Sequence, residues 1–169
     1  MTETTIEATP LSDAEAVTAR DLERASQLNP ISSPLVTHMY TADPSAHVFD
    51  GKIYIYPSHD VETGQPLNDD GDHFDMRDYH VISLDRPFGK TTDHGNALDV
   101  NDVKWAERQM WAPDAAEKDG KYYLYFPAKN YDGIFHIGVA VSNRPEGPFE
   151  PQDTHIDGSF SIDPAVFAD

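Results

Sequence analysis

Residues 113–127 read PDAAEKDGKYYLYFP, and residues 43–57 read DPSAHVFDGKIYIYP. In each stretch an Asp-Gly pair, Asp119-Gly120 or Asp50-Gly51, separates a short apolar run from a Tyr-rich run that ends at proline. Asp-Gly tolerates the positive φ values that a two-residue type I′ turn demands, so the pair between β-formers is a strong hairpin signal. Ala115-Ala116 is therefore expected to pair with 122–126, and Val48-Phe49 with 53–56. Each copy also opens on an aspartate beside a proline, Asp43-Pro44 and Pro113-Asp114. Asp163-Pro164 opens a third copy and leads into the apolar run 165–167.

The flanking sequence continues in the same style. Residues 79–84 form another strand candidate, and 134–142 alternate apolar residues as a strand does before the turn Pro145-Glu146-Gly147-Pro148. A polar loop rich in Asp and Gly fills 60–75, and little helix is expected after residue 30. Repeats opening at 43, 114 and 163 leave room for one sheet of three or four strands each, with loops of unequal length. That is the arithmetic of a β-propeller. Two units and the opening of a third do not close a ring, so the chain is expected to be the first part of an all-β propeller. Residues 11–28 (LSDAEAVTARDLERASQL) differ: Ser12 and Glu15 have capping-box spacing, and Ala16, Ala19, Leu22 and Ala25 form a thin apolar stripe. Asn29-Pro30 ends this helix. It is expected to be an appendage, residues 1–28, ahead of a catalytic body at 29–169.

Composition narrows the partners. Thirty acidic against twelve basic residues give a net charge of −18. Such a surface repels phosphate backbones and anionic lipid, which argues against nucleic acid and membrane partners. A neutral ligand such as a carbohydrate remains compatible. With no cysteine, disulfides and Cys-based zinc sites are excluded. Acidic residues from Glu3 to Glu23 interrupt the N-terminal segment, which has no apolar run of signal-peptide length. The expectation is a cytoplasmic protein. Neither a G-x-S-x-G elbow nor a P-loop occurs, so serine-hydrolase and nucleotide chemistry have no support.

The repeat also places chemistry. The innermost strands of a propeller run along its axis, so Asp43, Asp114 and Asp163 are expected to meet at one mouth of the channel. Converging carboxylates repel unless they share protons, bind a metal or perform acid–base work. Sugar hydrolysis with inversion uses two carboxyl groups about 6.5–9.5 Å apart. An aspartate beside proline also serves turns in its own right, so spacing alone admits both readings.

Longer strings bring a resemblance. Thr41-Ala42-Asp43-Pro44-Ser45, Tyr54-Ile55-Tyr56-Pro57-Ser58-His59-Asp60, Met110-Trp111-Ala112-Pro113-Asp114 and Ser161-Ile162-Asp163-Pro164-Ala165-Val166-Phe167 occur in this order. From about Asn29 onward the chain resembles glycoside hydrolase family 43, the five-bladed propeller arabinofuranosidases and xylosidases. The resemblance implies that Asp43 is the general base and that Asp163 orients the general acid and tunes its pKa. It puts that acid, a glutamate, on a later blade. Glu146-Gly147-Pro148-Phe149 imitates the acid's local wording but precedes Asp163, and is read as a surface turn. The chain alone is therefore expected to be inactive. Asp114, Trp111 and His59 are candidate substrate contacts; each has an alternative place in turn, core or hairpin packing.

No cofactor is required by this reading. Some family members bind a calcium in the central channel, and no residue here is assigned to it. Asn68-Asp69-Asp70-Gly71-Asp72 suits a solvated acidic loop better than a calcium loop, and the eight histidines lack the close spacing of a zinc helix. The implied substrates are arabinose- or xylose-containing polysaccharides or oligosaccharides. Arabinofuranosidase is the first choice and β-xylosidase the second. A non-catalytic carbohydrate-binding propeller is the rival from another class.

Overall fold

The chain divides into two units, Met1–Pro34 and Leu35–Asp169. A computed structural model describes residues 33–167. The expected helix at 11–28 lies outside the described residues. Within them the second unit is all β, with one 3-10 turn at Val100–Asp102.

Two antiparallel sheets make up this body. The first runs β1 (Tyr40–Phe49), β2 (Lys52–Asp60), β3 (Asp78–Leu84) and β4 (Thr91–Asp99), each paired to the next. In the second, the short β5 (Ala106–Arg108) and β6 (Asp114–Lys118) share one edge of β7 (Lys121–Asn130). The sheet then continues through β8 (Phe135–Ser142) to β9 (Glu150–Pro151). Each sheet is thus a four-position meander of the kind that forms a propeller blade. Both Asp-Gly turns form as read: Asp50 and Gly51 have φ of 49° and 75°, and Asp119 and Gly120 have 54° and 72°. A type I′ turn needs both values positive, and its twist matches that of the strands it joins.

The blades pack face to face. Tyr54, Tyr56, Tyr79 and Val81 of the first sheet share one core with Leu124, Phe126, Ala128 and Ala140 of the second. Within the second sheet Gly138 makes room for the core aromatics: a Cβ there would sit 2.5 Å from the ring of its cross-strand partner Phe126 and 2.6 Å from Trp105. Buried tyrosine hydroxyls find carbonyl partners, as they must. Tyr56 Oη donates to Pro145 O at 2.7 Å and Tyr79 Oη to Trp111 O at 2.6 Å, while burial pushes both phenols well above their ordinary pKa.

Three elements carried no sequence signal. β4 is built from TTDHGNALD, with two irregularities in its register against β3. β5 and β9 are two or three residues long. Residues 160–167, the opening of the third repeat, have no regular secondary structure and leave Phe160 and Phe167 exposed.

Candidate active site

Asp43 sits where β1 breaks register with β2. Ala42 pairs with Ser58 and Ser45 with Tyr56, so Asp43 and Pro44 together oppose only Pro57. This is a β-bulge, and its extra residue re-aims a side chain. Asp43 takes a left-handed φ of 45°. A residue before proline is normally driven to extended backbone, and a left-handed non-glycine costs about 1–3 kcal/mol. Ser58 Oγ donates to Ala42 O at 3.0 Å and ties the bulge to β2. Asp163, also followed by proline, has φ of 54°. The two aspartates that open Asp-Pro pairs therefore share one strained conformation, and Asp114, which follows its proline, does not.

Asp43 and Asp163 line the same pocket of about 260 Å³. Trp111, Phe74, Met76 and Asp60 provide its other main walls. Its volume lies just below the roughly 300–1,000 Å³ of drug-sized ligand sites, room for a small ligand. Size does not select this pocket, since a cavity between Lys121, Arg144 and Glu150 has the same volume. Its chemistry does: two exposed carboxylates face an aromatic and apolar wall.

That wall is stitched together from two stretches. Residues 61–77 carry Phe74 and Met76 without regular structure, and 108–112 carry Trp111. Trp111 Nε1 donates to Phe74 O at 2.8 Å and Met110 N to Met76 O at 2.7 Å. Gln109, fully buried with φ of 57°, donates through Nε2 to Gly71 O at 2.7 Å. Lys129 Nζ donates to Asp70 O at 2.8 Å. Phe135 packs against Trp111 with ring centroids 4.6 Å apart. An indole held by so many contacts presents a fixed face to the pocket.

The other sequence candidates lie off this pocket wall. Asp114 Oδ1 accepts from His47 Nε2 at 2.7 Å and from Ala115 N at 2.9 Å, and Oδ2 accepts from Val166 N at 2.7 Å. Its carboxylate therefore joins β1 of the first blade to the segment after Asp163. His59 points its Nδ1 at Asp78 Oδ1, 2.7 Å away; its neighbour Asp60 reaches the pocket instead. Glu146 lies in the turn after β8, 3.9 Å from Arg144 Nη1, and does not line the pocket. Phe74 and Gln109 were not singled out from the sequence. An aromatic in a polar loop was the available signal for Phe74, whereas nothing local marks Gln109.

The acidic loop at 68–72 is closed by its own hydrogen bonds. Asn68 and Asp72 satisfy each other through Asn68 Nδ2 to Asp72 Oδ2 at 2.7 Å and Asp72 N to Asn68 Oδ1 at 3.0 Å.

Paired Asp-Pro carboxylates at the rim of a blade-lined pocket agree with a direct match. The sequence profile for glycosyl hydrolases family 43 fits residues 31–169. The chain belongs to this family. A xylosidase/arabinosidase 43A of Humicola insolens is 65% identical over 139 residues, covering 81% of this chain and 42% of its own length. A β-xylosidase of Xylanibacter ruminicola is 54% identical, over 77% of this chain and 41% of its own length. Among solved structures, the β-xylosidase/α-arabinofuranosidase CoXyl43 from a compost metagenome, in complex with xylotriose, matches with a TM-score of 0.80 and 70% identity. That match covers 82% of this chain and 42% of CoXyl43. The chain thus spans about two-fifths of the relatives it matches, and its two sheets are blades of the family's propeller.

Proposed function

We propose that the protein is an inverting exo-glycosidase releasing terminal pentosyl units from arabinose- or xylose-containing polysaccharides or oligosaccharides. The observation that carries this reading is the pair Asp43 and Asp163, both in left-handed backbone beside proline, on one sugar-sized pocket walled by Trp111. Asp43 takes a proton from the water that attacks the anomeric carbon. A general acid protonates the departing oxygen on the other side of the bond, and configuration inverts. Asp163 positions that acid and raises its pKa through like charge. By the family resemblance we take that acid to be a glutamate of a later blade. Backbone strain at Asp43 serves to hold the base in place before the substrate arrives. The reading requires no cofactor.

Names of relatives join xylosidase and arabinosidase, so both activities are candidates: α-L-arabinofuranosidase from the wording of the loops, β-xylosidase from the relatives. Hydrolysis of aryl α-L-arabinofuranoside and aryl β-D-xyloside by the full-length protein separates them. Asp43→Asn is expected to lower kcat by about 10²–10⁴-fold on whichever substrate turns over, with little change in folding. Turnover that survives this substitution, or a folded wild type inert on both substrates, would sink the assignment.

A further inference from the structure

On the first blade, away from the pocket, β2 and β3 gather imidazoles that lie far apart in sequence. Ser58 pairs with Tyr79, so His59 stands directly across from Asp78, and strand alternation places His80 on the same face as Asp78. We propose that His59, Asp78 and His80 bind a divalent transition-metal ion of the zinc type. One ligand atom from each lies within 4.8 Å of the others.

Hydrogen bonding sets the lone pairs. His80 Nδ1 lies 3.0 Å from Asp93 Oδ1, and a carboxylate only accepts, so the proton sits on Nδ1. In the neutral ring the lone pair is then on Nε2. Among the described residues Nε2 has no hydrogen-bond partner and faces Asp78 Oδ2 at 3.6 Å. Two electron-rich atoms turned toward each other call for a cation between them. His59 Nδ1 approaches Asp78 Oδ1 at 2.7 Å and can ligate by moving its proton to the other ring nitrogen, with no net proton lost.

An outer shell is already built around these groups. Asp93 also accepts from Gly95 N at 2.8 Å and His38 Nε2 at 2.7 Å, and Asn96 Nδ2 donates to Asp78 Oδ2 at 3.0 Å. A carboxylate that orients a ligating histidine is the recurrent companion of zinc sites. Two imidazoles and one carboxylate suit zinc, with a fourth position for water, and suit calcium poorly because calcium prefers an all-oxygen shell. All three ligands keep some exposure, so an ion can enter.

The test is calorimetric titration of the chelator-stripped, full-length protein with zinc chloride at neutral pH. One saturable equivalent is expected, weakened at least about tenfold in His80→Gln and in Asp78→Asn. Asp93→Asn, which leaves all three ligands in place, should weaken binding by about 10–100-fold. Asp43→Asn should not change it, which separates this site from the pocket. Cobalt(II) added to unaltered protein should show the visible absorption of a tetrahedral nitrogen–oxygen site, a readout independent of whether any variant folds. No saturable uptake, uptake unaffected by His80→Gln in protein with a native circular dichroism spectrum, or a preference for calcium would each overturn the proposal.

Discussion

Gly71 has a φ of 70°, and a Cβ placed on it would lie 2.9 Å from two ring atoms of Trp111. Both facts bear on the pocket, because the loop backbone at Gly71 is the surface on which the indole rests. Gly71→Ala adds a left-handed non-glycine and a clash, for a destabilisation of about 1–3 kcal/mol. The loop or the indole must move. Substrate KM is therefore expected to rise by a few-fold, as for loss of one aromatic contact. Michaelis kinetics of the folded variant check this; an unchanged KM would show that Trp111 is not a substrate wall. The strain at Asp43 belongs to the same scale. Its motif was legible in the sequence, but its left-handed φ was not, because the bulge exists only once β1 pairs with β2.

Among elements, the turn between β1 and β2 does more than reverse the chain. Tyr122 on β7 donates its hydroxyl to Asp50 Oδ2 at 2.9 Å, so the first blade's hairpin is fastened to the second blade. Burial first, then the bond to Asp50 and its charge, push the Tyr122 pKa from 10.0 up to about 12. The folded state thus holds the phenolic proton more tightly than the unfolded chain does. Its stabilisation is complete below pH 10.0 and is lost as pH rises toward about 12. Tyr122→Phe is expected to lower the unfolding free energy by about 1 kcal/mol at neutral pH. Urea denaturation at a series of pH values tests the direction: the gap between variant and wild type should narrow along the alkaline limb. A gap independent of pH would assign the effect to packing alone. The hairpins themselves were readable because Asp-Gly chemistry is local. β4 was not, since TTDHGNALD has weak β character and becomes a strand by pairing with β3.

Across the whole body, Asp114 accepts hydrogen bonds from all three repeats. It joins His47 of the first blade, its own strand in the second, and Val166 after Asp163. Asp114→Asn keeps one acceptor and turns an amide toward a backbone or imidazole donor, leaving a bond unmade at a cost of about 1–3 kcal/mol. Chemical denaturation should show this loss, and hydrolysis should fall because Asp163 stands only three residues before Val166. A change within about 0.5 kcal/mol would mean that the segment is held by other contacts. The sequence by itself determined the class of the fold, the two hairpins, the repeat and the family, because turn chemistry and motif order act over a few neighbouring residues. It also marked Asp43, Trp111 and Asp163 as candidates. Only the tertiary structure decided which residues meet: Phe74 on the pocket wall with Gln109 bracing the loop behind it, Asp114 as a tie between blades, and His59 with Asp78 and His80 on one face. Those meetings depend on register, bulges and packing between strands distant in sequence, and no local pattern encodes them.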